Sequence, residues 1–90
     1  LGDGSVNNAH FLAAANLAEY AKHRHFKCPT VFCISDNNFS ISLRGYDWLQ
    51  KGFVNKFLMP VFKADGTDIT QIWRESKNAI SYSRKSSSPC

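Results

Sequence analysis

The sequence of 90 residues predicts an α/β architecture with a mainly parallel sheet flanked by helices. Apolar residues recur at helical spacing early and late in the chain. Between them lies a short β-branched run, Thr30-Val31-Phe32-Cys33-Ile34. Turn residues punctuate the boundaries at Gly2-Asp3-Gly4-Ser5, Ser35-Asp36-Asn37-Asn38 and Asp65-Gly66.

The first helix is expected from Asn7 to about His23. Phe11, Ala14, Ala15, Ala18 and Ala21 recur along it, and the small alanines allow close approach to a sheet or a second helix. Ser5 or Asn7 is suited to cap it. His23 to Lys27 reads as a loop, and Cys28-Pro29 stops any helix. Thr30–Ile34 then reads as a strand buried on both faces, as in parallel sheets. Ser40 to Tyr46 reads as irregular, Asp47 to Val54 as a short helix, and Leu58 to Val61 or Phe62 as a second short strand interrupted by Pro60. Asp68-Ile69-Thr70-Gln71 is close to a capping box, with Asp68 as the cap. The helix after it carries Ile69, Ile72, Trp73 and Ile80 on one stripe, and Ser-rich residues from Arg84 to Pro89 end it. No internal repeat is present.

Composition narrows the function classes. Hydrophobic content of 43% is that of a globular chain, and 90 residues form one small domain at most. The net charge of +4 is mild, and its bases are dispersed, which argues against a nucleic-acid footprint. No apolar stretch reaches membrane-spanning length. Three cysteines are an odd number and form no disulfide framework, so a reducing compartment is expected. The chain opens with its key turn at residue 2, so it is expected to be an internal fragment of a larger protein, cut at both ends.

The first turn carries the chemistry. Gly2 and Gly4 allow tight geometry and close approach, and a following helix points N–H groups and a positive dipole end at an anion. Asp3 would repel a bare phosphate unless a cation lay between them. Mg²⁺ fits, because it takes carboxylate, carbonyl, phosphate and water oxygens in an octahedron. The second turn offers Asn37 at the carboxyl end of the buried strand, where α/β sheets bind ligands. Asp3, Asn37 and the Phe39 carbonyl are the expected protein ligands, with Gly2, Gly4 and Ser5 cradling a diphosphate.

Gly2-Asp3-Gly4 followed by Ser35-Asp36-Asn37-Asn38 resembles the thiamine diphosphate signature of transketolases and 2-oxo acid dehydrogenases. In that family an Asp, an Asn and a backbone carbonyl two residues after the Asn hold the metal. Register over Phe39-Ser40-Ile41-Ser42 favours Asn37, with Asn38 and the Ser40 carbonyl as the alternative pair. The separation of Asp3 from Asn37 is a few positions longer than usual, which fits an insertion in His23–Lys27. Val61-Phe62-Lys63-Ala64-Asp65-Gly66-Thr67-Asp68, a helix and Ser88-Pro89 are also similar to the α-subunit of the decarboxylating first component of 2-oxo acid dehydrogenase complexes.

The resemblance implies a partial thiamine diphosphate-binding domain over residues 1–90, truncated at both ends and carrying the Mg²⁺–diphosphate half-site. The implied reaction is oxidative decarboxylation of a 2-oxo acid, pyruvate or branched-chain, with acyl transfer to a lipoyl group. The implied cofactors are thiamine diphosphate and Mg²⁺. The implied partners are a β-subunit or β-like domain that completes the site and a lipoyl-bearing acyltransferase component, in an oligomer without nucleic acid or membrane. The compartment would be cytoplasmic in a bacterium and the mitochondrial matrix in a eukaryote. No catalytic residue is assigned within the segment, which alone is expected to be inactive. A transketolase-like enzyme and a noncatalytic α/β interaction domain are the competing readings. A zinc site on His23, His25, Cys28 and Cys33 is a further alternative, but its spacing is poor and Cys33 reads as a small core residue.

Overall fold

A computed structural model describes residues 1–90. A 3₁₀ turn, Asp3–Asn7, leads into helix α1, Ala9–His23. A two-residue hairpin follows, β1 Phe39–Ser40 against β2 Leu43–Arg44. A π-helical turn, Leu49–Phe53, and a 3₁₀ turn, Val54–Lys56, precede helix α2, Ile69–Ser86. The architecture is mixed helix and strand, and its one formed sheet is the antiparallel pair β1–β2, with Phe39 opposite Arg44 and Ser40 opposite Leu43.

Helix α1 starts two residues later than expected, and its cap is Asn8, not Ser5 or Asn7. The Asn8 side chain accepts from His10 N–H at 2.9 Å. Residues 3–7 have already wound into the tighter 3₁₀ turn, so Asn8 is the first extended residue free to cap. Phe11, Ala15 and Ala18 face inward, whereas Ala14 lies off the buried stripe. Phe11 packs edge-on against Phe32, with ring centroids 5.6 Å apart.

The segment from Cys28 to Ser35 is extended and hydrogen-bonded on both sides. Cys33 C=O accepts from the Leu1 amino group and Ser35 N–H donates to Leu1 C=O. Ser35 C=O accepts from Asp3 N–H at 2.9 Å, giving a parallel bridge between Gly2 and Ser35. On the other side, Phe32 N–H donates to Cys90 C=O, and Cys90 N–H donates to Thr30 C=O. These flanking partners are too short to count as strands. The expectation of burial on both faces fails: Phe32 and Ile34 are half-buried, but Val31 and Cys33 on the alternate face are exposed. Cys33 is therefore not a core residue, because no element of this chain covers that face. Leu58 to Phe62 forms no ladder either.

The core is small. Val6, Leu49 and Phe53 form its centre, with Phe11, Ile34, Val54 and Phe57 packed around them. Val6 thus fastens the first turn to the π-helical turn. The expected helix from Asp47 to Val54 is this π turn and its 3₁₀ continuation. Gly52 lies against the Trp48 ring, where any side chain would collide. An apolar cleft of about 680 Å³ opens between α2 and the 53–62 segment, lined by residues including Phe57, Phe62, Ile72 and Ala79.

Helix α2 begins as the sequence predicts. Asp68 Oδ1 accepts from Thr70 and Gln71 N–H groups at 3.0 and 3.2 Å. Gln71 does not reach back to the cap backbone; its amide donates to Asp68 Oδ2 instead. The helix runs on to Ser86 and stops at Ser87, which is left-handed with φ 51°. Its buried face is Ala79 and Ser83, flanked by Ile72 and Tyr82. The predicted apolar stripe is largely open: Ile69 is 77% exposed, Trp73 65% and Ile80 43%.

Candidate functional site

Two turns converge where the 28–35 segment ends. Gly2 is extended, with φ −81° and ψ 156°, so its role is not conformational. Gly4 matters through space. A Cβ built on it would meet Ser40 Oγ at 2.5 Å and the Ser40 backbone at 3.1 Å. The first turn therefore sits directly against β1. Asp3 and Gly4 are half-buried and Ser5 is exposed. Contrary to the expectation, the amino end of α1 does not lie at Gly2–Gly4, because the 3₁₀ turn intervenes.

The second turn is held by its own side chains. Asp36 Oδ1 accepts from Asn38 N–H at 2.9 Å, and Asn37 Oδ1 accepts from Phe39 N–H at 3.0 Å. Asn38 is left-handed, with φ 63°. Its Oδ1 accepts from Asp47 N–H at 2.9 Å, and its Nδ2 donates to Asp47 Oδ1 at 3.4 Å. Gly45 N–H donates to Asn38 C=O at 2.7 Å. Antiparallel pairs alternate between bonded and non-bonded, so the next pair, Phe39–Arg44, is non-bonded and the Phe39 carbonyl turns away from β2.

The structure brings Asp3, Gly4, Ser35, Asp36 and Ser40 together. Asn37 and Asn38 follow at once in sequence, but no hydrogen bond joins the Asp3 side chain to either carboxamide. Asp36, expected only as a turn residue, accepts from Asn38 N–H at 2.9 Å and from the Gln50 amide at 3.2 Å. Partial burial would raise the Asp36 pKa. The Gln50 amide (3.2 Å from Oδ2), the Asn38 N–H and Asp3 outweigh it and hold the group below its ordinary value. Neither Asp3 nor Asp36 forms a salt bridge; the two ion pairs present are Lys51–Asp47 and Arg74–Glu75.

The donors nearby are carboxylate, carboxamide, hydroxyl and backbone oxygens, the set that Mg²⁺ prefers. The residues present therefore fit a hard divalent cation. No group of three or more His, Cys, Asp or Glu side chains gathers anywhere in the chain, including His23, His25, Cys28 and Cys33.

From sequence, Arg44-Gly45-Tyr46-Asp47-Trp48 reads as a segment that shapes the mouth of the site or a subunit interface, or as aromatic packing of a short helix; the bonds of Asp47, Trp48 and Gln50 to the two turns were not foreseen. Trp48 Nε1 donates to Asn7 Oδ1 at 2.9 Å. These residues lie well beyond the second turn in sequence, and only the tertiary fold brings them back. Four of the six left-handed non-glycine residues, Asn38, Ile41, Tyr46 and Asp47, fall in this loop.

Comparison with known proteins places these features in context. The family described as "Dehydrogenase E1 component" matches residues 1–90. A rice protein (Oryza sativa subsp. japonica), the chloroplastic subunit alpha-3 of the pyruvate dehydrogenase E1 component, is 28% identical over 92 residues. The match covers 98% of this chain and 20% of the rice protein, so the chain spans about a fifth of that relative's length. The relative's compartment differs from both compartments expected from sequence. No solved structure matches the chain. No helix is long and apolar enough to cross a membrane.

Proposed function

We propose a function from one premise: this chain belongs to the dehydrogenase E1 component family, as an E1 α-like segment. On that premise, residues 1–90 are part of a thiamine diphosphate-binding domain, and the parent enzyme decarboxylates a 2-oxo acid oxidatively and passes the acyl group to a lipoyl carrier. The observation that carries the reading is the junction of the two motif turns. The Gly2–Ser35 bridge and the Gly4–Ser40 contact set Asp3 beside the second turn in a chain matched over its whole length.

Thiamine diphosphate, when bound, supplies the carbon nucleophile for decarboxylation. This chain's residues hold and orient its diphosphate end. Asp3 supplies a carboxylate to Mg²⁺, and Asn37 a carboxamide oxygen. The Phe39 carbonyl is the third protein ligand, and its orientation away from β2 supports that choice. Asn38 with the Ser40 carbonyl is the second reading; Ser40 packs on Gly4 through its side chain, and the register turns its carbonyl toward Leu43. Gly2, Gly4 and Ser5 line the diphosphate. The substrate is pyruvate or a branched-chain 2-oxo acid.

The bonds on both sides of residues 30–35 run in the parallel sense, which supports a mainly parallel sheet in the full domain. Exposed Ile69, Trp73 and Ile80, together with the apolar cleft, support contact with a β-subunit or β-like domain in an oligomer. A lipoyl-bearing acyltransferase component is the further partner, and nucleic acid and membrane are not. The compartment follows the source: cytoplasm in a bacterium, mitochondrial matrix in a eukaryote, with the chloroplast added by the rice relative's name. Assaying the full-length protein with its β partner on 2-oxo acids and on sugar phosphates tests the reading. Decarboxylation of a 2-oxo acid supports it, and turnover of sugar phosphates alone overturns it.

A further inference from the structure

Residues Asp47–Gln50 reach both turns of the candidate site from outside the motif. Asn7 closes the 3₁₀ turn that carries Asp3 and Gly4, and its Oδ1 accepts from Trp48 Nε1 at 2.9 Å. The neighbouring Asp47 engages Asn38 through both its backbone N–H and its carboxylate. Gln50 donates to Asp36 at 3.2 Å. Leu49, between them, is buried against Val6 and Phe53. One short segment is thus anchored in the core and holds each turn by a side chain.

The Trp48 ring is itself held. The Lys56 ammonium sits over it, 4.7 Å from the ring centroid. Gly52 leaves room that any side chain would take. The indole is therefore braced before it reaches Asn7, and its N–H is the one donor from this segment to the first turn, adding to the Asp3–Ser35 backbone bond and the Gly4–Ser40 contact.

We propose that Trp48 is a positioning residue for the metal–diphosphate site, setting the first turn in register with the second through Asn7. The inference rests on the thiamine diphosphate reading given above. Mg²⁺ requires near-ideal octahedral geometry, so a small slip of Asp3 relative to the second turn weakens binding although Trp48 touches no ligand. Phe at this position keeps a ring under Lys56 and over Gly52 and removes only the N–H.

The test is calorimetry on the full-length protein with thiamine diphosphate and Mg²⁺, comparing wild type, Trp48→Phe, Asn7→Ala and the double variant. Each single change weakens binding about tenfold, and the double variant is no weaker than either single, because both remove one bond. In turnover, the apparent KM for cofactor rises while kcat at saturating cofactor holds. Wild-type affinity in Trp48→Phe, or losses that add in the double variant, overturns the positioning role while leaving the cofactor reading intact. If Trp48→Phe fails to fold, Asn7→Ala alone decides by the same affinity. A wild-type protein that binds no thiamine diphosphate overturns both readings.

Discussion

Gly4 and Ser40 are packed so closely that a methyl group on Gly4 would meet the Ser40 hydroxyl at 2.5 Å. Gly4→Ala should push the two turns apart. The expected cost is about 1–3 kcal/mol of stability by overpacking, with weaker binding of thiamine diphosphate. Ser40→Gly in the same chain should recover much of both. Denaturation and calorimetry on the full-length protein check this; an unaffected Gly4→Ala would show that the turns do not meet.

Ile41 should be a weak point of the hairpin. It occupies the two-residue turn between β1 and β2 with φ 59° and is fully exposed. A β-branched side chain is disfavoured there, and glycine is usual. Ile41→Gly should raise stability by about 0.5–1 kcal/mol, net of the added unfolded-state entropy. A lower melting temperature would contradict it.

Asp68 should carry the start of α2. Its carboxylate accepts from two of the first N–H groups and orients Gln71. Asp68→Ala should cost about 1 kcal/mol, whereas Asp68→Asn, which keeps the acceptor, should cost less. Chemical denaturation of both variants distinguishes them.

How far the fold and the site were legible from sequence follows from the range of each interaction. The Asp68 cap is local, so its residues announced it. The Gly-Asp-Gly and Ser-Asp-Asn-Asn turns were equally visible, as was the extended run between Thr30 and Ile34. What failed was burial. Ile69, Trp73 and Ile80 read as one apolar stripe and Cys33 as a small core residue, but an apolar pattern reports a face, not what covers it. The start of α1 moved because Val6, fully buried against Leu49 and Phe53, draws residues 3–7 into a tight turn. The bonds from Trp48 to Asn7 and from Gln50 to Asp36 link distant positions and leave no local trace.

Asp65 supplies a pH dependence. The Thr67 backbone N–H, at 2.9 Å, and then the Thr67 hydroxyl, at 2.7 Å, hold its carboxyl below the usual 3.8. A depressed folded-state pKa favours the ionised group. Its contribution to stability is therefore complete above the unfolded value and is lost as pH falls through the folded one. Thr67→Ala should move the Asp65 midpoint upward, though not fully, since the backbone bond remains. Carboxyl-carbon NMR titration reads this directly; an unmoved midpoint would contradict it.

Calorimetric titration of the full-length protein with thiamine diphosphate, with and without Mg²⁺ and in wild type and Asp3→Ala, tests the central claim most directly. The account predicts binding that requires Mg²⁺ and is lost in Asp3→Ala. Binding that ignores Mg²⁺, or that survives undiminished in Asp3→Ala, would contradict it.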